Sequence, residues 1–340
     1  MKRVMLITNS LTGGGAERSM NLLANEMNRR GWSISLVPVN SSPQDQVTLN
    51  CELYPLNRKW RGNPVSLIFT LWKFQRIVQR WKPDVLVLNC DLPELIGALS
   101  FGSRNLVVVE HSAIPWIQRK RMGRVIRAIL HFRRAKWISV SEHLNVWPNK
   151  SLPMTVIPNP LLFSLDPQLR PTSGNINRLL FIGRLSIEKR PELFIKISNS
   201  ANIDCILIGD GLMRKELQQS ANSAANSVLL TGHAIDPWKL RTPGDLLIVP
   251  SLTEGDGLVV LEALIRNVPL LVSDIPEFRR FGFPEVNYCQ SENDFLSKIT
   301  AFSQNIDALL VPTDKTVELL RSRDIGVICD KWIKVLDKLV

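Results

Sequence analysis

Asp245–Arg266 reads DLLIVPSLTEGDGLVVLEALIR, and its three parts decide the fold. Leu246–Val249 is a short apolar run bounded by Gly244 and Pro250, which reads as a buried strand. Ser251–Gly257 is a polar loop holding two glycines and two carboxylates, Glu254 and Asp256. From about Leu258 the apolar positions Leu258, Leu261, Leu264 and Ile265 fall at helical spacing. Strand, glycine loop and helix N-terminus together make an anion site, because free backbone N–H groups and the positive end of the helix dipole converge there. Glu254 and Glu262 flank that site. A carboxylate does not bind phosphate, but it accepts two hydrogen bonds from a vicinal diol. Phosphate donors between two diol acceptors point to a nucleotide-sugar. The plainer alternative is a solvated loop followed by a helix salt bridge.

The chain has 340 residues, enough for two domains with separate cores. Its 45% hydrophobic and 21% charged residues place it among globular proteins, with no repeat or low-complexity tract. No apolar run is long enough to predict a transmembrane helix. Lys2-Arg3 runs straight into Val4–Ile7, too short for a signal peptide. The five cysteines are scattered, without a CxxC or Cys/His cluster, so neither zinc nor a disulfide framework is expected. A reducing cytosol is the expected location. The net charge of +11 is uneven: residues 1–168 hold 22 Lys and Arg against 10 Asp and Glu, while residues 169–340 hold 20 against 21. Such asymmetry predicts different partners for the two halves.

In the first half, Val4–Thr8 reads as a strand, Ser10–Gly15 as a glycine loop and Ala16–Arg30 as a helix ended by Gly31. This opens a doubly wound α/β domain. A dinucleotide fingerprint fails here, because Arg18 stands where its third glycine belongs. No acidic residue between Asn28 and Gln44 is placed to hold a ribose. A helix through Ser66–Trp81, a strand over Asp84–Leu88, a helix over Leu92–Phe101 and a strand over Leu106–Glu110 follow. His111 falls at the carboxyl end of that last strand, where open α/β sheets place ligand residues.

Ile114–Lys136 is the most basic stretch, with Arg119, Lys120, Arg121, Arg124 and Arg127 among eight cations and no acid. Interleaved apolar residues make it a basic amphipathic helix suited to an anionic membrane surface or to a pyrophosphate on a lipid carrier. Nucleic acid and a merely solvated face are the alternatives; no nucleic-acid motif accompanies the charge. In the second half, the strand Leu179–Ile182 leads into Gly183-Arg184-Leu185-Ser186-Ile187-Glu188-Lys189. Arg184 can fork onto a diphosphate and Lys189 offers a mobile point charge. Gly209-Asp210-Gly211 reads as a turn with a structural aspartate. A last helix is expected from about Asp324 to Lys338.

Taken in order, these segments resemble the retaining glycosyltransferases of the GT-B fold, in particular family 4 (group 1). Gly14-Gly15-Ala16-Glu17-Arg18, the Gly183–Lys189 segment and the Glu254–Glu262 spacing carry the resemblance, with Val156–Pro160 as a similar inter-domain link. It implies an α/β architecture of two Rossmann-like doubly wound domains facing a cleft. Residues 1–168 would bind the acceptor and face the membrane, 169–322 would bind the donor, and 323–340 would form a helix packing back toward the first domain. It further implies that Gly14 and Gly15 approach the donor, that His111 and Glu254 orient its sugar, and that Glu262 holds its ribose. Arg184 and Lys189 would neutralise the leaving diphosphate, an electrostatic role. His233, Ala234, Gly257 and Leu258 would complete the donor site, and Ser141 would lie near the acceptor.

No Asp-x-Asp occurs, so no metal or other cofactor is expected, although Glu254-x-Asp256 leaves an opening for one. Asp256 stands where many members carry an apolar residue. It is read either as a donor or acceptor contact or as a cap on the following helix. The expected activity is transfer of a hexose or N-acetylhexosamine from a nucleotide-sugar, UDP-linked, to a lipid-linked or oligosaccharide acceptor. The expected setting is bacterial envelope polysaccharide (O-antigen, lipopolysaccharide or capsule) synthesis, at the cytoplasmic face of the inner membrane. A non-catalytic nucleotide-sugar-binding protein and a nucleic-acid-binding protein are the rival classes.

Overall fold

A computed structural model describes the chain except residues 1, 13, 41–48, 59–63, 103–104, 113–114, 145–146, 162–173 and 312. The chain divides into two units: Met1–Leu162 with Ser322–Val340, and Phe163–Arg321. The boundary expected near residue 168 falls outside the described residues.

In the first unit the elements run β1 (Arg3–Thr8), α1 (Gly15–Arg29), β2 (Ser33–Pro38), β3 (Glu52–Leu53), α2 (Pro64–Trp81), β4 (Val85–Asn89) and α3 (Asp91–Ala98). They continue with β5 (Asn105–Glu110), α4 (Lys120–Phe132), β6 (Lys136–Ser139) and β7 (Thr155–Val156). All strand pairs are parallel, in the order β3-β2-β1-β4-β5-β6-β7. Helices on both faces explain why β1, β4 and β5 are almost continuous buried apolar runs rather than alternating ones. Phe74 and Val78 of α2 and Ile126 and Leu130 of α4 pack one face, with Met5, Leu88 and Val108. On the other face Leu23, Ala24 and Met27 of α1 pack against Ile328, Cys329, Trp332 and Leu336. These last belong to the final helix of the chain (Ile325–Leu336), capped by Asp324, whose side chain accepts from the N–H of Gly326. The presumed linker Val156–Pro160 is instead part of this unit. Val156 pairs in the sheet, and the Leu161 N–H donates to the carbonyl of Arg323 at 2.9 Å.

The second unit runs β8 (Arg178–Ile182), a 3-10 turn (Ile187–Lys189), α5 (Pro191–Ala201), β9 (Cys205–Ile208), α6 (Arg214–Asn222), β10 (Val228–Gly232) and β11 (Asp245–Val249). Then come α7 (Leu258–Ile265), β12 (Leu270–Ser273), α8 (Pro276–Arg279), β13 (Tyr288–Cys289), α9 (Glu292–Ala301) and α10 (Thr313–Arg321). The final helix is thus α11. The second sheet is also parallel, ordered β10-β9-β8-β11-β12-β13. Each sheet therefore reverses its winding once, between β1 and β4 and between β8 and β11. Chains leaving those neighbouring strand ends diverge and leave a crevice, where open α/β sheets bind ligands.

Candidate active site

In the second unit the polar residues gather at the β8/β11 reversal. The 3-10 turn after β8 is fastened to the loop after β11 by the Leu252 N–H, which donates to the Glu188 carbonyl at 2.8 Å. That bond brings the ammonium of Lys189 onto the carboxylate of Glu254 as an ion pair. Glu254 is buried, and it also accepts from the hydroxyl of Ser251 at 2.9 Å. The loop is braced from behind by α8. Glu277 accepts from the Thr253 hydroxyl at 2.7 Å, and Arg280 donates to both the side chain and the carbonyl of Asp256, at 2.8 and 2.9 Å.

This corrects the capping reading of Asp256. Its carboxylate is buried against Arg280, while the N-cap of α7 is Gly257 with no side-chain cap. Gly257 has φ +65°, and a Cβ there would lie 3.1 Å from Phe278 and 3.3 Å from Phe281. Only glycine meets both demands without strain. Leu258 then starts α7, and Glu262 one turn on accepts from the indole N–H of Trp238 at 2.6 Å. The guanidinium of Arg266 lies 5.0 Å from the same ring. Arg184 is exposed and makes no ion pair among the described residues, so its fork is open to an anion. His233 and Ala234 follow β10, the histidine exposed and the alanine partly so. Asp210 is a turn residue, its carboxylate accepting from the Gly211 N–H at 2.8 Å.

In the first unit the β1/β4 reversal gathers a second set. Gly14 is the N-cap of α1 and Gly15 its first residue. Asn89, buried at the end of β4, donates to the Ala16 carbonyl at 3.4 Å, and its side-chain oxygen lies 2.5 Å from Nε2 of His111. His111 is therefore held at the carboxyl end of β5 beside the first turn of α1.

The basic stretch divides. Arg119, Lys120, Arg121 and Arg124 are exposed, as expected of a surface. Arg127 is not; it is 3% exposed and lies between two glutamates. It donates to Glu94 through Nε and Nη2, at 2.9 and 2.6 Å, and to Glu110 through Nη1 at 2.7 Å. The position falls on the inward face of α4, and the acids that claim it come from α3 and β5. Ser141 is corrected likewise: it is buried, with its N–H and carbonyl both bonded to the Ser139 hydroxyl. Sequence reasoning missed Ser251, Trp238, Arg280 and Asn89, all partners of singled-out residues, and gave no role to Glu277, which holds Thr253 beside Glu254. The helical spacing of α4 does place Arg127 beside the inward Ile126 and Leu130, which could have flagged it.

Residues 13–161 match the family model described as Glycosyltransferase Family 4, and residues 168–293 match that of Glycosyl transferases group 1. A Campylobacter jejuni N-acetyl-D-galactosaminyltransferase acting on a diNAcBac-PP-undecaprenol-linked GalNAc acceptor is 22% identical, over 96% of this chain and 89% of its own length. An Escherichia coli UDP-Gal:alpha-D-GlcNAc-diphosphoundecaprenol alpha-1,3-galactosyltransferase is 28% identical over 42% of this chain and 38% of its own. Among solved structures, Anabaena HepE in complex with UDP and glucose superposes with a TM-score of 0.77 at 18% identity, covering 99% of this chain and 100% of that one. WaaG, a glycosyltransferase involved in lipopolysaccharide biosynthesis, gives 0.68 at 16% identity, covering 98% of this chain and 99% of that one. These likenesses define the fold as GT-B, and the chain is a glycosyltransferase. It belongs to the group 1, family 4 type of that enzyme class.

Proposed function

We propose that the chain is a retaining, metal-independent hexosyltransferase. It moves a hexose or N-acetylhexosamine from a UDP-linked donor to a lipid-linked or oligosaccharide acceptor, in bacterial envelope polysaccharide synthesis, as a peripheral protein at the inner face of the membrane. The observation that carries the donor reading is the arrangement at the β8/β11 reversal. There an exposed Arg184, the Lys189–Glu254 pair and Glu262 lie on adjoining segments around the start of α7. Arg184, Lys189 and the first N–H groups of α7 suit a diphosphate; Glu254 and Glu262 suit hydroxyls of sugar and ribose. In the reaction the bond from the anomeric carbon to the diphosphate oxygen breaks, and a bond to the acceptor oxygen forms. The leaving phosphate takes the acceptor's proton. Cations at the diphosphate lower the barrier by stabilising its growing charge. Metal independence is supported by the loop carboxylates themselves, since Glu254 and Asp256 are already paired with Lys189 and Arg280. The undecaprenol-linked acceptors named for two relatives support the acceptor class.

The test is thermal melting with UDP, GDP and their sugars, on the native chain and on Glu262→Ala and Arg184→Ala. A ligand at 100 times its Kd stabilises by about 2.7 kcal/mol, a readily measured shift. The expected result is a shift with the uridine series that both substitutions abolish. A shift with guanosine ligands alone would overturn the UDP assignment, and no shift with any ligand would overturn the donor site. Transfer in EDTA at the untreated rate is expected, and an α-linked product from an α-linked donor reports retention.

A further inference from the structure

We infer that α2, rather than the basic helix α4, is the element that enters an anionic lipid surface, with α4 supplying flanking charge. The inference rests on the membrane association proposed above and names the contact that makes it. Ile68, Phe69 and Trp72 on α2 are 65%, 65% and 58% exposed, and their spacing puts them on one face of the helix as a contiguous cluster. Soluble proteins rarely leave so large an aromatic and aliphatic cluster in water without a partner for it. A fourth side chain adjoins it. Gln75 of α2 donates to the Phe101 carbonyl and accepts from the Phe101 N–H, at 2.8 and 2.9 Å, which holds that 77% exposed phenylalanine against the helix.

The charge around the cluster identifies the occupant. Lys73, Arg76 and Arg80 continue the exposed side of α2, and the helix contains no acid. The Arg76 guanidinium lies 4.8 Å from the Trp72 ring, an aromatic–cation pair suited to the headgroup level of a bilayer. A protein partner would need a matching acidic rim, whereas an anionic bilayer offers apolar depth and negative charge together. On α4 the exposed apolar residues Val125 and Phe132 stand two turns apart, with only the small Ala128 and the half-buried Ile129 between them, a thinner apolar strip than the cluster on α2 and one without a second large aromatic side chain. Both helices pack the same side of the first sheet, through Phe74 and Val78 and through Ile126 and Leu130.

The test is co-sedimentation of the full chain with vesicles of phosphatidylcholine alone and with one third phosphatidylglycerol. Three proteins are compared: native, Phe69→Ser/Trp72→Ser, and Arg121→Glu/Arg124→Glu. Unchanged melting of the free proteins, expected because all four side chains are exposed, confirms folding. The native chain should bind the anionic vesicles. The α2 variant should partition at least about tenfold more weakly at every salt concentration, equal to about 1.4 kcal/mol. The α4 variant should lose only the salt-sensitive part. Native-like binding by the α2 variant overturns the assignment and leaves the membrane reading to α4. No binding by the native chain overturns both, while the nucleotide-induced melting shift judges the donor site separately. A native dimer that the α2 substitutions split, seen by analytical ultracentrifugation, would assign the patch to a second copy and overturn the lipid occupant.

Discussion

Arg127 is one cation shared by two buried glutamates, and the two are not served equally. Glu94 takes the bidentate share, and the Trp116 indole N–H donates to it as well at 2.8 Å. Glu110 receives a single bond from the guanidinium, and burial pushes its carboxyl up to about 7 against the pull of Arg127. Nearby Asp91 is pushed up to about 6, again chiefly by burial. In the unfolded chain both groups titrate near pH 4. The folded state therefore binds more protons between about pH 4 and 7, so these carboxyls contribute stability at low pH that is lost as pH rises through their folded values. Urea unfolding at pH 5 and pH 8 should show the loss from this pair, and Glu110→Gln should flatten the dependence. Removing the cation is harsher. Arg127→Ala strands Glu94 without its counter-charge, and should cost about 3–5 kcal/mol in the same assay at pH 8, with a smaller loss at pH 5.

At the scale of elements, the loop between β11 and α7 is fixed by partners on α8 and on the turn after β8. Gly257 is its most constrained point, with positive φ and two aromatic rings against its open side. Gly257→Ala should lower stability by about 1–2 kcal/mol, and by chemical denaturation the loss should persist when donor nucleotide is absent. The strand, the loop and the start of α7 were legible, because a buried apolar run, a glycine cluster and a helical period each act over a few residues. The pairings Lys189–Glu254 and Trp238–Glu262 were not. They join segments brought together only by sheet order, and no local spacing encodes them. Helix α5 also escaped the pattern: Leu193, Phe194, Ile195 and Ile197 are all buried, so no single apolar stripe marks it. On α4 the number of cations masked one that points inward, and charge alone does not say which face a residue occupies.

Across the whole molecule, the second unit is continuous in sequence while the first is closed by the chain's last residues. Trp332 on α11 is 2% exposed and packs with Leu23, Ala24 and Met27 of α1. Arg30 ties the same two helices together, donating to Asp330 at 2.5 Å and to the Gly326 carbonyl at 3.0 Å. Trp332→Ala should cost about 3–5 kcal/mol, read as a lowered melting transition. Arg30→Ala, whose ion pair is partly exposed, should cost about 1 kcal/mol or less. This closure also fixes a sequence of events on the ribosome. Residues 163–321 emerge complete before α11 exists, so the unit made second can mature first, while the other unit keeps the apolar side of α1 bare until α11 has been made. Nascent chains stalled after residue 321 and held outside the exit tunnel should show a protease-resistant second unit joined to a sensitive first one. In a cell, that interval of exposure falls to the half of the protein that carries the greater positive charge.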